Sequence, residues 1–306
     1  MKHKAIAYFS LTNINIAYLY AMKKILILVS VILSLAALAN GQEAKTLLWK
    51  VSGNGLAKPS YLFGTIHLIC PSDYMWTEKM QQSFVACNKV CFEMDLDDEE
   101  TMTAASVGFI DPSGKKLKDH FKPADYQRLQ KFMKDSIGMD MFMLQAMKPI
   151  ALESIISMKS VKCKDAMSYE ETLMKKANEH KMEVIGLEPA SEQINALDHM
   201  PADSVVISVM ELVDSFAKSK REFNELMAAY KAQDLPLLYQ KITGVGGVGD
   251  GIGVLLNDRN KRWIDRMAVK MKGNAVFFAV GAGHLAGKDG IIALLRHAGY
   301  TVEPVL

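Results

Sequence analysis

An apolar strand that runs directly into Gly-x-x-His occurs twice in this chain, as Tyr61-Leu62-Phe63-Gly64-Thr65-Ile66-His67 and as Phe277-Phe278-Ala279-Val280-Gly281-Ala282-Gly283-His284. Each copy leads into a helical pattern and then another strand. A single Gly-x-x-His is a weak pattern in a sequence with 20 Gly and 7 His. Two copies, each at the end of a hydrophobic run, are far less easily accidental. Strands alternating with helices give an α/β architecture, and in open α/β sheets the carboxyl ends of the strands are where ligands sit. The expected fold is therefore α/β: a mixed sheet built from two similar strand-GxxH-helix-strand halves, with a helical insertion at about 120–240 between them.

Periodicity predicts buried strands at 60–63, 90–92, 183–187, 275–280 and 300–305. Helices are predicted at 78–87, at 123–137 with Pro123 in its first turn and Gly138 after its end, and at 289–298 closed by Gly299. Another covers 169–179, where Ser168 with Glu171 three residues on forms a capping box. Residues 139–160 and 200–240 read as helical and rich in methionine. Met139, Met141, Met143 and Met147 suit adaptable core packing, the alternative being a lid over an apolar substrate. The stretch 244–253 holds six glycines in ten residues, and no Gly-Lys-Ser/Thr follows, so a mobile loop is expected there rather than a phosphate loop.

The N-terminus carries export logic. Met22-Lys23-Lys24, an apolar run from 25 to 38, and small residues Ala37 and Ala39 before Asn40-Gly41 follow the order of a secretory signal peptide. The run is shorter than the roughly 20 residues that span a bilayer, and no cysteine precedes Cys70 to carry a lipid. The expectation is an extension and signal peptide at 1–41, with Met22 as the functional start. A working domain at 42–306 would then be periplasmic or secreted, with no stable membrane anchor. Residues 1–41 hold Lys2, Lys4, Lys23 and Lys24 and no acid, so of 36 basic and 34 acidic side chains the remainder keeps 32 and 34. A near-neutral surface without a basic stripe argues against nucleic acid as a partner. Cys70, Cys87, Cys91 and Cys163 would enter an oxidising compartment, where at least one disulfide is expected. Three complete pairings remain open, and the spacing is not that of a zinc-binding Cys set.

His67 and His284 lead the candidates for chemistry. Gly64 and Gly281, three residues before each, allow sharp turns or close approach where a Cβ would clash. Glu93 also lies at the end of an apolar strand, in Cys91-Phe92-Glu93-Met94. Two imidazoles and a carboxylate converging at strand ends make an open site for a divalent metal. Glu188, in Ile185-Gly186-Leu187-Glu188, repeats the placement on a third strand and is a further ligand or a general base. Asp95, Asp97, Asp98, Glu99 and Glu100 read as a solvated acidic run. His120, His180, His199 and His297 read as surface residues.

These motifs, in this order, resemble the TraB/GumN family (TraB/PrgY/GumN) from Leu48 to Val305. The matching pieces are the segment 61–67, Phe92-Glu93-Met94-Asp95, Gly186-Leu187-Glu188 with Gln193, Asn257-Asp258-Arg259-Asn260, and Val280-Gly281-Ala282-Gly283-His284-Leu285 with Gly287, Gly290, Gly299 and Tyr300. The Tiki metalloproteases, which cleave a secreted protein, resemble the same family and carry two Gly-x-x-His motifs with a glutamate. The resemblance implies an exported metal-dependent hydrolase acting on peptides, metalloprotease-like, with a divalent metal (Mn, Co or Zn) on His67, Glu93 and His284. It further implies that Arg259 orients substrate or stabilises developing negative charge, or else serves in a structural salt bridge. Two alternatives stand beside this: a peptide-binding or sequestering protein without turnover, and a metal-independent esterase in which one His is the base, as in the related erythromycin esterases. The partner expected is a peptide or small-molecule substrate.

Overall fold

The computed structural model of the chain describes residues 45–244, 251 and 253–306. The signal-peptide reading at 1–41 and most of the glycine-rich loop reading at 244–253 lie outside the described residues. The elements are β1 Leu48–Gly53, β2 Ser60–Thr65, α1 Glu78–Val85, β3 Lys89–Phe92, α2 Glu99–Val107, α3 Pro123–Phe132, α4 Pro149–Met158, α5 Tyr169–Glu179, β4 Glu183–Gly186, α6 Ala190–Asp198, α7 Ala202–Asp214, α8 Phe216–Lys231, α9 Leu235–Gly244, α10 Asp258–Met271, β5 Val276–Gly281, α11 Ile291–His297 and β6 Tyr300–Pro304.

The fold is mixed α/β, with one six-stranded sheet in the order β4-β3-β5-β2-β1-β6. β4, β3, β5 and β2 are mutually parallel, while β1 pairs antiparallel with both β2 and β6. Both expected units, β2-His67-α1-β3 and β5-His284-α11-β6, are present, but they do not divide the sheet into halves. β5 inserts between β2 and β3, so the two units interleave. The expected insertion is likewise broken by β4, which returns the chain to the sheet between α5 and α6.

Phe277, Phe278, Ala279 and Val280 of β5 are all buried. Successive strand residues point to opposite faces, so both faces of the sheet are covered, as parallel strands require. On one face Phe277 meets Phe84 of α1 at 5.1 Å and Phe63 of β2 at 6.0 Å between ring centroids. A second apolar cluster, including Leu117, Leu129, Met133, Leu152, Ile156 and Val209, is formed by α3, α4, α7 and the segments between them. Met141 is buried in it and Met139 and Met147 pack against it, as core packing expects. Met143 instead stands 78% exposed.

Helix α3 begins with Pro123 and continues as a π-turn over Met133–Ile137, ended by Gly138 at φ 78°. The positive φ is the reason a glycine closes it. β1 escaped the sequence reading because its alternation is brief, Trp49 and Val51 against Lys50 and Ser52. Cys70 and Cys163 are disulfide-bonded, whereas Cys87 and Cys91 are buried free thiols, each pushed up to about 12 by burial.

Candidate active site

Each of the four adjacent parallel strands delivers one chemistry-bearing side chain just beyond its carboxyl end. In sheet order these are Glu188 after β4, Glu93 after β3, His284 after β5 and His67 after β2. The β3–β4 ladder runs on past the strand ends, with Glu188 N donating to Glu93 O at 2.9 Å. From β3 the chain leaves towards β4, and from β5 it leaves in the opposite direction towards β6. Such a reversal opens a crevice between neighbouring strand ends, and Glu93 and His284 face each other there, Oε1 to Nε2 at 3.7 Å.

The motif glycines have specific work. A Cβ on Gly64 would lie 3.1 Å from Ala282 Cβ and from Leu285 Cδ2, so its absence lets the first motif pack against the turn that carries the second. Gly281 donates its N–H to Glu93 Oε1 at 2.9 Å, and a Cβ there would come within 3.3 Å of that same oxygen.

Helix α10 lays Arg259, Asn260 and Trp263 over the crevice, with Met267 and Met271 continuing the buried stripe at helical spacing. Arg259 Nη2 donates to Glu93 Oε2 at 2.7 Å and also reaches Glu188 Oε1 at 2.6 Å, while Nε donates to Glu188 Oε1 at 2.8 Å. Nη1 donates to Leu255 O at 3.0 Å and lies 3.4 Å from His284 Nε2. Glu188 is fully enclosed, and its second oxygen accepts from Trp263 Nε1 at 2.8 Å. Gln193 Nε2 donates to Glu93 Oε2 at 3.3 Å.

The protonation of His284 follows from its neighbour. Asn260 Nδ2 donates to His284 O at 3.2 Å and Asp289 O at 2.9 Å, which fixes Oδ1 as the atom 2.6 Å from His284 Nδ1. An amide oxygen only accepts, so Nδ1 carries the proton and Nε2 presents a lone pair towards Glu93. Burial lowers the His284 pKa to about 4 despite the pull of Glu93, leaving the ring neutral at neutral pH. Burial works to raise Glu93, yet the surrounding positive charge and the Gly281 N–H hold it at about 2. His284, Arg259 and His67 lower it in that order, because at the acid pH where Glu93 titrates the His284 ring is itself protonated.

His67 stands apart, its side chain 72% exposed and Nδ1 3.2 Å from Glu170 Oε1. The Glu170 hydrogen bond raises its pKa to about 9. Among the described residues, no three His, Cys, Asp or Glu side chains converge closely enough to hold a metal ion as they stand. The structure thus joins Glu93, Glu188, Arg259 and His284 in one network, with His67 at its open edge and its charge felt by Glu93 and His284.

Sequence reading assigned no role to Glu170, Asn260 or Trp263. Asn260 stood in the Asn257-Asp258-Arg259-Asn260 segment of the resemblance without a role of its own, and Trp263 carried a local signal only in the buried stripe of an amphipathic helix. His120 was read as surface, but its imidazole is only 13% exposed and bonded to Asp111 at 3.1 Å. His180, His199 and His297 are exposed. Of the acidic run, Asp98 caps α2 by accepting from Thr101 N at 2.8 Å, and Asp95 is partly buried.

Among curated proteins, the chain is similar to Metalloprotease TIKI1 of Danio rerio, 22% identical over 317 residues, covering 85% of this chain and 63% of the relative. It is also similar to Metalloprotease TIKI2 of Xenopus tropicalis (21% over 324 residues, 86% and 60%) and to a Metalloprotease TIKI homolog of Nematostella vectensis (23% over 307 residues, 81% and 65%). The chain therefore spans about three fifths of the length of these relatives. No solved structure matches it. The sequence pattern of the TraB/PrgY/gumN family matches residues 47–304, which takes in all six strands and every residue of the crevice, and the chain belongs to that family.

Proposed function

We propose that this chain is an exported, metal-dependent hydrolase of peptides in which Glu93, His284 and His67 hold a divalent cation at the crevice. The observation that carries the reading is the fixed tautomer of His284, whose Nε2 lone pair lies 3.7 Å from Glu93 Oε1. That separation is within the span of two donors on one ion at bond lengths of about 2.0–2.2 Å. Imidazole with carboxylate suits Zn, Mn or Co. Charge balance supports the same reading. Glu93, Glu188 and Glu170 bring three negative charges against Arg259, and His67 is neutral when it ligates, so two negative charges are left for a divalent cation to neutralise.

A bound divalent cation would supply Lewis-acid polarisation of a substrate carbonyl. The chain's own residues would do the rest. Asn260 keeps the His284 ring oriented. Arg259 sets a positive charge beside Glu93, placed to stabilise negative charge developing on substrate oxygen. Both Glu188 oxygens are committed to Arg259 and Trp263, so Glu188 serves to hold Arg259 rather than to move a proton. The names of the relatives support proteolysis as the reaction class.

One contact favours a second reading. Arg259 Nη1 already faces the His284 Nε2 lone pair at 3.4 Å, which gives that nitrogen a partner without a metal and leaves the exposed His67 as the base of a metal-independent ester hydrolysis. The purified protein, analysed for bound metal and assayed on peptides and esters with and without chelator, separates the two. One equivalent of divalent metal and chelator-sensitive peptide cleavage are expected. Ester turnover that survives chelation overturns the metal reading.

A further inference from the structure

We propose that Glu170 is the positioning residue for His67, fixing which imidazole nitrogen the first Gly-x-x-His motif offers to the crevice. The proposal rests on the reading that His67 works at that crevice. Among the described residues His67 is otherwise free: it lies two residues past the end of β2, is largely exposed, and makes its one side-chain hydrogen bond there to Glu170 Oε1. An imidazole held by one such bond has one nitrogen committed and the other defined, whereas without it the ring would sample several orientations and both tautomers.

Glu170 is the opposite kind of residue. Its side chain is only 17% exposed and is held on both oxygens, by Thr65 Oγ1 donating to Oε1 at 2.7 Å and Ser168 Oγ donating to Oε2 at 2.8 Å. It occupies the first turn of α5, where the helix favours a negative charge. Thr65 belongs to the first motif itself, so the same strand end that carries His67 also anchors the carboxylate that orients it.

The segments that carry the two residues are clamped to each other along their length. Ile69 and Met167 exchange backbone hydrogen bonds of 3.0 and 2.9 Å. Cys70 is joined to Cys163, and Asp73 ties to Lys162 at 2.8 Å. Buried Tyr169, next to Glu170, donates its hydroxyl to Met75 O at 3.0 Å and accepts from Met75 N at 3.1 Å. Residues 67–75 and 162–170 therefore move as one piece, and Glu170 reaches His67 from a fixed direction. At the other histidine Asn260 has the equivalent place on Nδ1. Both motifs thus leave Nε2 as the nitrogen available to an occupant, the arrangement in which an outer partner orients a ligating imidazole.

The test compares the wild-type chain with Glu170→Gln and Glu170→Asp by two readouts. Long-range nitrogen–proton spectra of metal-free protein report the His67 ring without reference to activity. In Glu170→Gln its neutral form is expected to become a mixture of tautomers in place of the single one that the Glu170 hydrogen bond fixes. Calorimetry with Mn²⁺ and Zn²⁺ is expected to show affinity reduced about 10- to 100-fold in Glu170→Gln, partly restored in Glu170→Asp, with melting temperatures close to wild type. Unchanged His67 spectra in Glu170→Gln overturn the proposal. If that variant does not fold, Glu170→Asp, which withdraws the charge by one methylene, gives the same comparison. Wild-type protein that binds neither metal would sink the metal reading of the site, and the His67 spectra would still decide the role of Glu170.

Discussion

Asn260 Oδ1 sits 2.6 Å from His284 Nδ1 while the Asn260 amide group spans the backbone oxygens of His284 and Asp289. One side chain thereby sets both the turn that carries the histidine and the proton on its ring. Asn260→Ala is expected to cost about 1–3 kcal/mol, because the buried Nδ1–H and the carbonyls lose their partners. It should also lower divalent-metal affinity by about 10- to 100-fold. Urea unfolding and calorimetry measure the two effects separately. An affinity equal to wild type would dissociate the tautomer from metal binding.

Glu188 separates a catalytic from a structural role. A general base replaced by an isostere loses turnover and keeps its fold. Glu188→Gln, however, removes the buried charge that Arg259 neutralises, and breaking a buried ion pair costs about 3–5 kcal/mol. The expected outcome is a large drop in unfolding free energy with metal affinity retained in whatever fraction stays folded. A variant as stable as wild type but inactive would return Glu188 to the role of base.

The cysteines give a chemical count. Cys87 and Cys91, with thiols pushed up to about 12 by burial, should resist alkylation in the native protein. Two thiols are expected to react on unfolding and four after reduction. Replacing Cys70 and Cys163 by serine should lower stability by about 2–5 kcal/mol, since the bridge closes a long loop. Four reactive thiols in unreduced, unfolded protein would refute the Cys70–Cys163 bond.

Asp73 links Lys162 to Lys231, and hydrogen bonds from the two ammonium groups hold its pKa below the ordinary 3.8. The unfolded chain then takes up the proton first as the pH falls. The contribution of Asp73 to stability is therefore complete above the ordinary value and is lost progressively as the pH drops below it. Asp73→Asn should lower stability at neutral pH and shrink the difference from wild type in acid. A difference that stays constant between pH 7 and pH 2.5 would show that the charge contributes nothing.

Much of the crevice was legible in the sequence because its residues follow strands whose apolar runs are local signals. His67, Glu93, Glu188 and His284 could each be placed at a strand end without knowing the sheet. Sheet order was not legible: nothing local to β5 says that it inserts between β2 and β3. The same limit hid the partners. Glu170 read as one acid in the first turn of a capped helix, and it is the tertiary pairing of 67–75 with 162–170, Ile69 with Met167 among its contacts, that brings it to His67. Arg259 left its role open between substrate and salt bridge because a guanidinium's partners are chosen by packing, here two glutamates roughly 70 and 170 positions away. The Cys70–Cys163 choice among open pairings was likewise a tertiary fact.

The row of four strand ends also has a direction. Neighbouring strands stand about 4.8 Å apart, so from Glu188 to His67 the row extends roughly three such steps. Along it side-chain exposure runs from 0% at Glu188 through 12% at Glu93 and 5% at His284 to 72% at His67. Among these four side chains water reaches His67 freely and the other three barely, Glu93 slightly more than His284. One sheet edge therefore sets a wet histidine at one end of the row against a dry, charge-paired Arg259–Glu188 couple at the other.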